Sequence, residues 1–153
     1  MAELDVESCD LAPFPAAKGG AIWCERVEEN AADGIATTLR SFYVVRGSKL
    51  VAVTQVPVAA GPLEVSSSAT SNADRYWVKL EPQTAPDGST VSFADAPETS
   101  CEIARAKNAE FGGYVPDQAA RRAKAIERVC AARGRYGWSG GGVRKTAGQP
   151  RQL

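Results

Sequence analysis

Phe42-Tyr43-Val44-Val45-Arg46-Gly47-Ser48-Lys49-Leu50-Val51-Ala52-Val53 is the stretch on which the fold turns. Two runs of β-branched and aromatic residues flank Gly47-Ser48. Glycine at the first position of a two-residue loop suits a type II′ turn, whose twist matches that of the strands. Such a loop sets Val45 opposite Leu50 and Tyr43 opposite Ala52 on one face, with Val44 opposite Val51 and Phe42 opposite Val53 on the other. Both faces are apolar, so the hairpin is expected to be covered on both sides and central to the fold.

The β character extends in both directions. Residues 21–28, with Ile22, Trp23 and Val27, read as a strand, and Asn30-Ala31-Ala32-Asp33-Gly34 as a turn. Residues 1–20 carry Pro13, Pro15, Gly19 and Gly20 without a period and read as an irregular arm. Downstream, Pro57 and Gly61-Pro62 are expected to interrupt the sheet and residues 63–65 to start another short strand. The small polar run 66–72 reads as a loop. Tyr76, Val78 and Leu80 then alternate with Arg75, Trp77 and Lys79, and Pro86-Asp87-Gly88 turns the chain so that residues 90–93 return antiparallel.

At Asp95 the period changes. Asp95-Ala96-Pro97-Glu98 is a helix start, with an acidic cap, an early proline and a glutamate three residues on; the helix is expected to end at Gly112-Gly113. Pro116-Asp117 opens a second helix, with Ala119, Ala123, Ile126 and Cys130 on one face and Arg121, Arg122, Lys124 and Arg128 on the other. Gly134 closes it. Residues 135–138 and 143–145 suit a last edge hairpin around Ser139-Gly140-Gly141-Gly142, and residues 147–153 a disordered tail. The fold class is α+β: an antiparallel sheet of about six to eight short strands with an antiparallel C-terminal helix pair packed on it, in a single domain of residues 1–146.

Four cysteines, Cys9, Cys24, Cys101 and Cys130, stand far apart and form no Cys-x-x-Cys pair. With no histidine in the chain, zinc would need all four thiolates from distant segments, so no metal or cofactor is expected. Reduced cysteines in a cytoplasmic protein would serve as small buried hydrophobes. Two disulfides in an oxidising compartment fit better. Three pairings are open, and helix geometry favours one. Cys101 lies about ten residues before the linker between the helices and Cys130 about thirteen after it, depths that agree to within about one turn at 1.5 Å per residue. A Cys101–Cys130 bridge leaves Cys9–Cys24 to staple the arm to the first strand.

Met1-Ala2-Glu3-Leu4-Asp5 is acidic and lacks the apolar run of a secretory leader, and no stretch reaches the length of a membrane span. An extracytoplasmic location, periplasmic or secreted, is therefore expected from the cysteines, with a cytoplasmic one as the alternative. Zero net charge conceals an asymmetry: residues 1–99 hold 14 acids and 7 bases, residues 100–153 hold 4 acids and 11 bases. The halves either neutralise each other across an interface, the preferred reading, or leave an anion-binding C-terminal region.

Without histidine the chain has no Ser-His-Asp or Cys-His constellation. Glu25, Glu28, Glu29 and Asp33 cluster in sequence, but a solvated strand end explains them, and they lack the oxygen pattern of a calcium loop. Gly140-Gly141-Gly142-Val143-Arg144-Lys145-Thr146 fails as a phosphate loop, because Arg144 stands where glycine is needed and no helix follows. Arg133, Arg135, Tyr136, Trp138, Arg144 and Lys145 interleave cations with rings, a pattern that can hold phosphates while the rings stack on bases or sugars; edge-strand packing is the competing explanation. No enzymatic activity is expected. The function that best fits is an extracytoplasmic binding or interaction domain, of inhibitor, immunity or accessory type, whose partner is another protein. Two alternatives stand behind it: anionic-ligand or nucleic-acid binding through the C-terminal basic-aromatic segment, and a carboxylate-based glycan hydrolase.

Overall fold

The computed structural model describes residues 8–14, 21–139 and 141–147. Eight strands follow one another in spatial order: β1 (Ser8–Leu11), β2 (Ala21–Asn30), β3 (Ile35–Arg46), β4 (Lys49–Pro62), β5 (Val78–Thr84), β6 (Thr90–Asp95), β7 (Gly134–Ser139) and β8 (Gly142–Ala147). Every neighbouring pair is antiparallel. A one-turn helix, α1 (Asn72–Arg75), precedes β5; α2 (Cys101–Gly112) and α3 (Pro116–Ala131) lie between β6 and β7. The α+β class, the helix pair and both disulfides, Cys9–Cys24 and Cys101–Cys130, are as the sequence led us to expect. Among the described residues no helix is long and apolar enough to cross a membrane.

The hairpin has Gly47 at φ 64° and pairs Val45 with Leu50, Val44 with Val51 and Tyr43 with Ala52. A register shift between Phe42 and Tyr43 then places Phe42 opposite Thr54 rather than Val53. Coverage on both sides holds only at the root. Ser41, Phe42, Tyr43 and Val44 are buried, whereas Val45 and Leu50 at the tip are about half exposed. The strands run longer than their composition implied. β3 begins at Ile35, and β4 continues through Pro57 to Pro62. Pro57 does not interrupt because it sits at a bulge: Leu39 pairs with Pro57 and Thr38 with Ala59, leaving Val58 as the extra residue.

Other expectations are corrected locally. Residues 63–65 form no strand. Ser71 accepts from the Asp74 amide while Asp74 accepts from the Ser71 amide, and this capping box turns 72–75 into α1, so β5 starts at Val78 rather than Arg75. The arm contains β1, which the Cys9–Cys24 bridge fixes opposite its direct partner on β2. Asp95 ends β6, and α2 starts at Cys101 with Ser100 as its cap. Asp95 nonetheless serves that helix, accepting from the Cys101 amide at 3.1 Å. Gly134, at φ 142°, opens β7. Ala147, expected in the tail, closes β8; residues 148–153 lie outside the described residues, as do 1–7 and 15–20 of the arm and Gly140 of the glycine run.

The core joins Phe42, Val44, Val56, Val58 and Ala60 of β3 and β4 to Val78, Leu80, Val91 and Phe93 of β5 and β6, and to Ala104, Ile126, Val129 and the Cys101–Cys130 bridge of the helices. β4 hands on to β5 through only two residue pairs, Ala59–Lys79 and Ala60–Val78. Past that junction the chain curls until β8 meets β4, where the Val143 carbonyl accepts from Thr54 Oγ1 at 2.5 Å. Of the five ion pairs among the described residues, three, Arg121–Asp33, Arg128–Glu28 and Arg133–Asp95, cross from the basic part of the chain to the acidic part. Neutralisation between the halves is thus built into the packing.

Candidate functional site

The residues singled out in the C-terminal segment serve the interior and the helix end. Tyr136 is buried, stacks edge-on against Phe93 with centroids 5.5 Å apart, and donates its hydroxyl to the Ala132 carbonyl at 2.7 Å. Arg133 binds Asp95 at 3.0 Å and the Cys130 carbonyl at 3.1 Å. Lys145 donates to the Ala131 carbonyl at 2.8 Å, at the negative end of the α3 dipole. Trp138 is half-buried against the core. Arg135 and Arg144 are exposed, the latter donating to the Ser139 carbonyl. The structure therefore brings Arg133, Tyr136 and Lys145 around the end of α3, and of the two rings in this group Tyr136 is buried and Trp138 half-buried.

Burial also pushes the Tyr136 phenol above its ordinary range. The native state therefore holds a neutral phenol at pH values where the unfolded chain, ionising near pH 10, has lost it, and this contribution is lost as pH rises beyond that point. Tyr136→Phe is expected to cost about 1 kcal/mol at neutral pH through the lost hydrogen bond. The gap between the two proteins should narrow at about pH 10.5, where only the wild type pays for ionisation. Urea denaturation at both pH values checks this, and a gap that does not change would mean the hydroxyl is not held neutral.

The acidic cluster is divided by strand alternation, because directly paired residues share a face of the sheet. Glu28 pairs with Thr37 on the face that α3 covers, where Arg128 reaches Glu28 at 3.1 Å and Arg121 reaches Asp33 at 3.5 Å. Glu25, Val27 and Glu29 pair with Arg40, Thr38 and Ala36 on the opposite face. Over that second face lie residues 62–82, and between them open two adjoining cavities. The larger, about 190 Å³, is lined by Val27, Glu29, Thr38, Val65, Arg75 and Tyr76 among others. The smaller, about 160 Å³, contains Glu25, Thr38, Arg40, Tyr76, Lys79 and Glu81. Thr38 and Tyr76 line both, so the two form one groove.

Its walls are set by local chemistry. Gly61 lets the end of α1 lie directly on β4, since a Cβ there would collide with the Arg75 carbonyl. Trp77 donates its amide to the Ala60 carbonyl, and Arg75 donates to the Ala69 carbonyl at 3.2 and 3.3 Å. Lys79 donates to Asn72 Oδ1 at 3.2 Å and stands 5.0 Å from the centre of the Tyr76 ring. On the floor, Arg40 binds Glu25 at 2.5 Å and its guanidinium lies 4.3 Å from the Trp23 ring centre. Arg40 Nε and Trp23 Nε1 are buried and make no hydrogen bond to a described residue.

Chemically, the groove can bind. It offers exposed valines at one end and fixed charges of both signs at the other. Glu25 and Glu81 both line the smaller cavity, and Glu25 is tied to Arg40. Sequence reasoning missed the groove because its second wall, α1 with Tyr76 and Lys79, depends on a capping box inside a run of serines that reads as loop. The spacing Ser71-x-x-Asp74 was the available signal. No family model matches the chain, and no characterised protein or solved structure is detectably similar to it.

Proposed function

We propose that this chain is a non-enzymatic extracytoplasmic binding domain, of inhibitor, immunity or accessory type, which takes an extended segment of another protein along β2. One observation carries the proposal. The groove over β2 and β3 opens at a mouth where strand alternation sets Val27 and Glu29 on the groove face beside Thr38 and Ala36. An extended segment laid along such a groove gains affinity from main-chain bonds and specificity from alternate side chains that enter a neighbouring pocket. Here the neighbouring pocket is the groove, with Val27 about 42% and Val65 about 41% exposed at its mouth. A binding surface asks for no catalytic group. The two disulfides support an oxidising compartment.

Site-specific photo-cross-linking tests the proposal. A photoreactive side chain at Val27 is expected to give a discrete protein adduct, and the same group at Leu50 on the hairpin tip none. Val27→Asp in the cross-linking background at Val65 should abolish the adduct, because a buried unpaired charge opposes docking. Adducts from position 50 alone, or none from 27 and 65, would remove β2 as the interface.

A further inference from the structure

Arg122 does not lie on the solvent face of α3 with Arg121, Lys124 and Arg128, where helical spacing had placed it. It is half-buried, four residues from the buried Ile126, and its guanidinium sits between two rings. The guanidinium carbon is 3.6 Å from the Phe111 ring centre on α2 and 4.6 Å from that of Trp77. Ring faces attract the cation and fix its plane, but they accept none of its N–H groups along that plane. Arg122 makes no ion pair or hydrogen bond with a described residue, in contrast to Arg40, Arg105, Arg121, Arg128 and Arg133, each of which faces a carboxylate.

The cavity beside it, about 50 Å³, is lined by Trp77, Ala104, Lys107, Asn108, Arg122 and Ile126. It holds two cations and no acid. Asn108 donates Nδ2 to the Ala119 carbonyl at 2.9 Å, which fixes the orientation of its amide, and its Oδ1 is buried with no hydrogen-bond partner among the described residues. Burial lowers the Arg122 pKa from its ordinary value, as desolvation of an uncompensated cation must. None of these residues lines the β2 groove.

We infer that this cavity is a binding site for a small organic carboxylate bearing a neighbouring hydroxyl. The planar edge of Arg122 matches a carboxylate in two-point contact, Lys107 adds a second positive charge at the rim, and Asn108 Oδ1 accepts the hydroxyl hydrogen. The apolar remainder, Trp77, Ala104 and Ile126, suits a short carbon skeleton. A phosphate would leave oxygens facing those apolar walls. An ammonium in place of the hydroxyl would meet two like charges.

The experiment is a nuclear magnetic resonance titration of the intact disulfide-bonded chain with sodium lactate, propionate and phosphate, at ionic strength held constant with sodium chloride. Lactate is expected to shift the Arg122 Nε–H, the Asn108 side-chain amide and the Trp77 indole saturably. Propionate, lacking the hydroxyl, should bind about tenfold more weakly, the worth of one hydrogen bond. Lys107→Gln changes an exposed side chain that makes no hydrogen bond or ion pair with a described residue, and it should weaken lactate several-fold; Arg122→Gln should abolish saturation. Shifts that sodium chloride reproduces, or binding that Lys107→Gln and Arg122→Gln leave unchanged, would overturn the site. Phosphate binding as tightly as lactate would overturn the carboxylate assignment.

Discussion

Replacing Cys101 and Cys130 together by alanine is expected to lower the unfolding free energy by about 4 kcal/mol, the largest loss from any single link in the chain. The bridge closes a loop with a sequence separation of 29, for which the entropy released to the unfolded state is worth about 3.5 kcal/mol. Packing adds to this. Cys101 is 0% and Cys130 3% exposed, so both sulfurs lie in the core that joins the helices to the sheet, and their removal leaves a void. The polar side-chain contacts between the two helices would replace little of this. The Arg105–Glu127 contact between α2 and α3 is exposed and worth well under 1 kcal/mol, and the Asn108 bond to the Ala119 carbonyl is a single hydrogen bond. At about 2–4 °C per kcal/mol the melting temperature should fall by about 8–16 °C. The matching double replacement of Cys9 and Cys24 closes a shorter loop, of sequence separation 15, and frees only the four-residue edge strand β1, so its effect should be smaller and local. Thermal and urea denaturation of both variants measure the two losses. If the helix bridge costs less than about 1 kcal/mol, or less than the edge bridge, the order argued from loop length and burial is wrong.

What could be read from the sequence was whatever depended on neighbours along the chain. The Gly47-Ser48 turn, the Pro116 helix start and the level of Cys101 with Cys130 are local geometry, and the structure reproduces each. What escaped depended on tertiary partners. Pro57 was an apparent strand breaker because its missing amide is harmless only at a bulge, and the bulge is set by Leu39 and Thr38 across β3. Arg122 was placed with the exposed cations because periodicity cannot say that Phe111 and Trp77 would flank it. Tyr136 was a candidate stacking ring because an edge hairpin at the end of the chain offers no hint that Phe93 would enclose it. The groove was less legible than the fold for the same reason. A groove is made by two walls distant in sequence, and of these only β2 read as a strand, since Ala36, Thr38 and Arg40 lie in the part of β3 that precedes the expected hairpin.

Phe42→Ala is expected to cost about 4 kcal/mol and to damage the groove as well as the core. Phe42 is fully buried at the root of the hairpin, with ring centres 5.7 Å from Phe14 and 5.6 Å from Trp23. Truncating a phenylalanine in such surroundings loses its transfer energy and two aromatic contacts and leaves a cavity, for which about 3–5 kcal/mol is usual. Trp23 is the link to function. It touches Phe42 at one end and carries the Arg40 guanidinium at the other, and Arg40 is the floor of the groove beside Glu25. With Phe42 gone, Trp23 can tilt into the vacancy and Arg40 loses the surface that orients it. Phe42→Leu keeps most of the volume and should cost only about 1–1.5 kcal/mol while holding Trp23 nearly in place. Urea denaturation gives the energies. Cross-linking from Val27, repeated below the unfolding transition, reports the groove: the adduct should weaken in Phe42→Ala and persist in Phe42→Leu. Equal costs for the two variants would deny Phe42 its place in the core. An adduct undiminished in Phe42→Ala would show that partner binding at β2 does not depend on the Trp23–Arg40 floor, and would confine the interface to the valines at the groove mouth.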